Sequence, residues 1–201
     1  MEYNVTSGLQ RLWVEYVYLL TLVLCFCSFW YGSLKFFKQN VQIRRRHRIL
    51  LRLGTIATWN LSYFFILFGP QPKTQLIIAL GSVLNLVALV LFWVTMLYVK
   101  NRVFSVIFSQ KSPDFLHLEG PYRYVRHPFY TAYLFVYVSV ILSLWVWPLQ
   151  LLCLILITYY VFAARQEEAC FLKGPLAEQY LAYQARTGMF LPRLNSAAAQ
   201  K

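Results

Sequence analysis

Two short runs hold most of the residues able to do chemistry. The first is Gly120-Pro121-Tyr122-Arg123-Tyr124-Val125-Arg126-His127-Pro128-Phe129-Tyr130. The second is Arg165-Gln166-Glu167-Glu168. The chain has seven acidic residues in all, so two adjacent ones use a scarce resource. Arg126 and His127 offer a fixed cation and a titratable base, and the glutamates offer anions. Opposed across a small gap, they could hold a zwitterion, orient a carboxylate or move a proton. The bland alternatives are a juxtamembrane basic patch and a solvated acidic pair that balances it. Ionisable groups set opposite one another where apolar spans end make a functional-site candidate that stands level with these readings on chemistry alone.

These runs depend on the elements around them. Hydrophobic residues make up 59% of the 201, mean hydropathy is +0.51 and only 13% of residues are charged. Soluble proteins are about 25% charged, so lipid is the natural solvent for this chain. The formal net charge of +12 lies beside apolar runs rather than in a nucleic-acid motif, as the positive-inside rule expects. No nucleic-acid partner is expected.

Five apolar spans are predicted, at about Trp13–Phe37, Leu53–Phe68, Leu76–Val99, Pro128–Trp147 and Leu149–Ala164. Gly69-Pro70-Gln71-Pro72 breaks the chain after the second, and Pro148 marks a turn between the last two, which form a helical hairpin. Lys35 to Arg52, with Lys38, Arg44, Arg45, Arg46 and Arg48 between, put that loop in the cytoplasm. Lys100, Arg102 and Lys111 do the same for the next polar loop, and Arg165, Lys173 and Arg186 for the C-terminus. The loop with only Lys73 lies opposite. The expected fold is all-α and polytopic, one membrane domain over 1–201, with the N-terminus outside. Residues 1–119 provide acceptor access, and 120–194 the hairpin and C-terminal segment.

Gly174-Pro175 opens a short amphipathic helix on the cytoplasmic face. Leu176, Tyr180 and Tyr183 make its apolar stripe, Glu178 and Arg186 suit its dipole, and Gly188 and Pro192 stop it. The hairpin brings the two chemical runs to one membrane face, so Arg126 can approach Glu167 or Glu168.

Taken together, G-P-Y-x-x-x-R-H-P-x-Y, a hydrophobic hairpin, E-E, G-x5-Y-x2-Y and a final L-P resemble the isoprenylcysteine carboxyl methyltransferase and phospholipid methyltransferase superfamily. The matching pieces are Gly120 to Tyr130, Glu167-Glu168, Gly174, Tyr180, Tyr183 and Leu191-Pro192, about the last 85 residues. The resemblance implies a cytoplasm-facing pocket for S-adenosylmethionine as methyl donor, and a lipophilic acceptor arriving from the bilayer. By position, Arg126 and Glu167 match catalytic residues. His127, Pro128, Tyr130, Glu167, Glu168, Tyr180 and Tyr183 match cofactor-pocket positions. Ala132 departs from the glycine that many members carry there.

The chemistry agrees with that implication. A glutamate could pair with the donor's ammonium, Arg or His with its carboxylate, and tyrosine faces with the sulfonium. A carboxylate acceptor needs no base, and Arg126 could orient it. An amine must first be neutral, so His127 or a glutamate would act as base. A prenylcysteine-like carboxylate, a lipid amine and a thiol remain open as acceptors. The competing readings are a nicotinamide-dependent reductase of the sterol reductase type and a non-enzymatic carrier or assembly factor.

Several other features carry less. Cys25, Cys27, Cys153 and Cys170 read as apolar thiols. Asp114, His117 and Glu119 are spaced as loop residues rather than metal ligands, so no metal is expected. His47 belongs to the basic patch. Asn60 and Asn85 are expected to bond between helices, and Trp13, Trp145 and Trp147 to anchor at the interface. The start of the chain lacks a basic n-region, so no cleaved signal peptide is expected, and the Asn4-Val5-Thr6 sequon lies close to the first span. Ser196 to Ala199 reads as a frayed tail.

Overall fold

The computed structural model describes residues 2–35, 45–69, 74–99 and 116–193. The Gly69–Pro72 break beyond Gly69, Lys73, the 100–115 loop with Asp114, most of the 35–52 basic loop and the 194–201 tail lie outside them. The described residues are all-helical. The helices are α1 (Glu2–Lys35), α2 (Arg45–Phe68), α3 (Gln75–Val99), α4 (Pro128–Ser143), α5 (Trp147–Leu172) and α6 (Ala177–Arg186), with a 3-10 turn at Gly120–Arg123.

Among the described residues, three helices are long and apolar enough to cross a membrane: Leu12–Leu34 within α1, all of α3 and all of α5. At 1.5 Å per residue, the 25 residues of α3 reach across a hydrocarbon core of about 30 Å. α2 is as long, but its sequence opens with four basic or titratable residues in a row and then mixes Thr55, Thr58, Asn60 and Ser62 into its apolar run. α4 is apolar but has only 16 residues.

Several boundaries differ from those expected: α1 and α2 begin earlier, at Glu2 and Arg45. α4 ends at Ser143 rather than Trp147, because Leu144 and Val146 adopt extended backbone. Pro148 is therefore not the turn. It sits in the first turn of α5, where a proline's missing N–H leaves no bond unmade. α5 runs on past Ala164 to Leu172, since Arg165 to Ala169 are good helix formers with nothing to stop them. Glu167 and Glu168 thus stand on a helix rather than at its exit. α6 begins at Ala177, two residues after Pro175, with a tight turn closed by Ala177 N donating to Gly174 O at 3.2 Å.

α3 is the hub. It packs chiefly on α4 and α1, while α5 joins α4 to α2 and α6. Polar side chains pin the centre. Asn85 is fully buried; its Nδ2 donates to Thr21 Oγ1 at 3.3 Å, and its Oδ1 accepts from Ser139 Oγ at 2.6 Å. Cys25 Sγ donates to the Asn85 carbonyl at 3.2 Å. One residue thereby ties α1, α3 and α4 together. Asn60 does not do this: it is exposed, and its Nδ2 bonds the Ile56 carbonyl of its own helix at 2.8 Å. Below the hub an aromatic cluster of Phe29, Phe92, Phe129 and Tyr133 fills the space between the same helices. Trp13, Trp145 and Trp147 stay exposed, as anchors at a lipid interface would. Cys25 and Cys153 are buried, Cys170 is half-buried and Cys27 is exposed.

Candidate functional site

The site is assembled by a clasp between two segments. Gly120 takes a φ of +60°, which a glycine adopts without strain, and starts the 3-10 turn. Tyr124 N and Val125 N both donate to the Pro121 carbonyl, closing that turn. The chain then straightens and runs parallel to the segment after α6. Val125 and Gly188 form a β-bridge, Arg126 N donates to Gly188 O at 2.9 Å and His127 N to Met189 O at 3.1 Å. Gly188 has to be a glycine here, because a Cβ would run into the Leu191 carbonyl. Thr131 Oγ1 secures the far end by donating to Phe190 O at 3.1 Å. Pro128, fully buried, opens α4 immediately after the clasp.

The clasp delivers Arg126 and His127 to the glutamates of α5. Arg126 Nε donates to Glu168 Oε1 at 2.8 Å and Nη2 to Oε2 at 3.4 Å. Nη1 donates to the Thr187 and Gln184 carbonyls. Both side chains of the pair are 7% exposed. His127 Nε2 faces Glu168 Oε1 at 3.2 Å, and Gln184 Nε2 donates to Glu168 Oε2 at 3.0 Å. Glu168 is therefore surrounded by donors from the clasp and from α6, and binds three elements at one carboxylate.

Glu167, its neighbour, is placed differently. Its side chain is 20% exposed. Tyr130 donates to its Oε1 at 2.5 Å, and His127 Nδ1 lies 3.6 Å from its Oε2. The His127 and Tyr130 rings stack in parallel, 5.5 Å between centroids, so each fixes the other's aim at Glu167. Arg126 and Glu168 cancel in charge. Glu167 is partly open, aimed by Tyr130 and His127, in a setting rich in phenol rings. That combination suits a cation.

The tyrosines of α6 serve the assembly. Tyr180 is buried and stacks flat on Phe171 of α5 at 4.7 Å. Tyr183 is buried and its hydroxyl donates to the Tyr122 carbonyl at 2.6 Å, fastening α6 to the 3-10 turn. Burial pushes both phenols, and Tyr122, well above the usual tyrosine range; the negative Glu168 pushes Tyr180 the same way. They remain neutral hydrogen-bond donors at working pH. Below the site Tyr130, Tyr133 and Tyr137 ring Tyr160 at 5.3–6.1 Å, continuing a phenol-lined column along α4 and α5.

All the residues singled out in the sequence, Arg126, His127, Pro128, Tyr130, Glu167, Glu168, Tyr180 and Tyr183, thus lie in one connected region. Gln184 and Thr187 were missed. Gln184 follows Tyr180 by one helical turn, a usable signal. Thr187 acts through its backbone carbonyl, which has no signature in residue type. Of the loop acids and histidine, Glu119 accepts from Tyr98 at 3.5 Å and His117 stacks on Tyr122 at 5.1 Å.

A family model described as phospholipid methyltransferase matches residues 74–177, slightly more than half of the chain. The match covers α3, the 3-10 turn, α4 and α5 and ends at the first residue of α6. No curated protein and no solved structure matches the chain.

Proposed function

This chain belongs to the phospholipid methyltransferase family, and from that premise we propose that it transfers a methyl group from S-adenosylmethionine to the amine of a membrane phospholipid. The family makes it a membrane methyltransferase. The observation that carries it is the division of labour between the two glutamates. Glu168 is consumed by Arg126, His127 and Gln184. Glu167 is partly exposed and is aimed by Tyr130 and His127. A donor with a sulfonium and an ammonium fits such a site.

S-adenosylmethionine supplies, when bound, a methyl carbon on a sulfonium sulfur that departs as a thioether while the acceptor's lone pair takes the methyl. The chain's residues bind and orient. Glu167 holds the donor's ammonium. Tyr130 keeps Glu167 aimed, and the phenol column faces positive charge. Arg126 braces the clasp through Glu168. Four of Arg126's five N–H donors are already used within the protein, which disfavours Arg126 as the group that orients a carboxylate acceptor. An amine acceptor must shed a proton before it attacks, and His127 is the group beside Glu167 that can take it. Near-attack positioning supplies the rest.

The basic loop residues favour a cytoplasmic site and an extracytoplasmic N-terminus. The family match does not favour the nicotinamide-dependent reductase or the non-enzymatic reading.

The test is reconstitution of the full chain into vesicles containing phosphatidylethanolamine, followed by methyl-labelled S-adenosylmethionine. Label in the lipid fraction, lost in Glu167→Gln, supports the reading. Label appearing only when a prenylcysteine is offered instead would replace the amine by a carboxylate acceptor. No label in any lipid from folded protein would sink the proposal.

A further inference from the structure

α2 packs on α5 and, more lightly, on α1. Thr58, Trp59, Ser62 and Ile66 are its buried side. On the other side Leu53, Ala57, Asn60, Phe64 and Leu67 recur at alternating steps of four and three residues, the spacing of a helix–helix seam. Leu53, Phe64 and Leu67 are 45–57% exposed, and Asn60 is exposed among them. At about 100° per residue, Asn60 falls near the middle of that side. Its neighbour sets its depth. The Trp59 ring meets Phe26 at 5.0 Å, well inside the apolar α1 span Leu12–Leu34. Asn60 therefore stands at hydrocarbon depth and points away from its own bundle.

The amide is poorly served there. Its Nδ2 donates to the Ile56 carbonyl of the same helix at 2.8 Å. That uses one N–H. The second N–H and the Oδ1 atom have no partner among the described residues, whereas Asn85 bonds both Thr21 and Ser139. Lipid tails offer neither donor nor acceptor, so the exposed amide costs free energy as it stands. A charged ligand would need an opposite charge, and residues 53–67 carry none. A primary amide is its own complement. Two of them facing across a two-fold axis exchange N–H···O bonds in both directions. The seam supplies the rest of such a contact: Ala57 is small enough for close approach, and Leu53, Phe64 and Leu67 supply apolar surface.

We infer that the outer side of α2 is the interface of a homodimer, two copies side by side in the membrane with Asn60 bonded to Asn60. A single polar residue in an apolar seam fixes the register of the pair. No residue of the glutamate site takes part, so the inference does not rest on the function proposed above.

The experiment uses two pools of the full chain, carrying a donor or an acceptor dye on a C-terminal tag. They are mixed in detergent and reconstituted into phosphatidylcholine vesicles, and energy transfer is followed as the lipid-to-protein ratio rises. Wild type is expected to give the transfer of a dimer that dissociates on dilution. Asn60→Leu keeps the apolar volume and removes the amide; it should weaken association about tenfold, the scale of a pair of interhelical bonds. Its Tm should hold, because the one bond lost within the chain lies inside α2. Asn60→Gln, which keeps an amide, should retain most of the association. Val90→Ala, exposed on α3 away from the seam, should leave it unchanged. Mixing wild type with Asn60→Leu decides what the amide meets. Pairing of amide with amide is lost outright in the mixed pair, which should then associate as weakly as Asn60→Leu with itself. An intermediate mixed pair would mean that Asn60 bonds some other residue of the second copy, and would overturn the pairing. Wild type that stays monomeric at every dilution, or a dimer indifferent to Asn60→Leu, overturns the inference as a whole.

Discussion

Glu168→Ala is the most informative single perturbation. Its carboxylate is 7% exposed and receives Arg126 through two nitrogens, His127 through one and Gln184 through one. Removing it strands the Arg126 guanidinium, itself 7% exposed, with only the Gln184 and Thr187 carbonyls as partners. Breaking a buried pair by deleting one member costs about 3–5 kcal/mol, because the other charge is left unpaired. For a chain of this length each kcal/mol lowers Tm by roughly 2–4 °C, so a fall of roughly 6–20 °C is expected. Thermal unfolding of the purified protein, followed by tryptophan fluorescence, reads it. The double variant Arg126→Met, Glu168→Leu removes both charges and should recover most of the loss, since apolar replacement of a buried pair is often neutral. A fall below about 2 °C for Glu168→Ala would refute the reasoning. The pair would then behave as a surface ion pair, worth roughly 0–1 kcal/mol, and could not be the brace of the clasp.

Three further outcomes follow from the same geometry. Tyr130→Phe keeps the ring stack on His127 but removes the donor to Glu167; S-adenosylmethionine affinity should fall roughly tenfold by calorimetry with Tm nearly unchanged. Gly188→Ala forces a Cβ into the Leu191 carbonyl and should open the clasp, seen as faster amide exchange at Arg126 and His127. Asn85→Ala loses bonds to both Thr21 and Ser139 and should cost roughly 0.6–1.7 kcal/mol per bond, measured by unfolding in detergent, without changing cofactor affinity.

The residues that the fold gathers into the candidate site were legible because their chemistry is concentrated in a chain that is otherwise poor in charge. Seven acids in 201 residues make Glu167-Glu168 conspicuous, and a hairpin is enough to carry them to Arg126. The helices were legible from apolar runs. Their ends were not, since helix formers such as Gln166 and Glu167 extend α5 as readily as an apolar residue would. The division between the two glutamates was hidden for another reason. Adjacent residues on a helix point about 100° apart, so one faces Arg126 and α6 while the other faces Tyr130. Which faces which depends on the clasp, and the clasp is made by backbone groups of Arg126, His127, Gly188 and Met189. Backbone pairing between segments 62 residues apart (Arg126 with Gly188, His127 with Met189) leaves no mark in residue type beyond the glycine. Asn60 and Asn85 make the same point: both are amides within apolar helices, and only packing decides which meets a neighbour.

In the proposed function, Glu167 receives the cationic end of S-adenosylmethionine. Calorimetric titration of S-adenosylmethionine into detergent-purified wild type and Glu167→Ala tests it most directly, with unfolding curves confirming that both are folded. The account predicts saturable binding by wild type and at least tenfold weaker binding by Glu167→Ala at unchanged Tm. Equal affinity in the two proteins, or no binding by folded wild type, would contradict it.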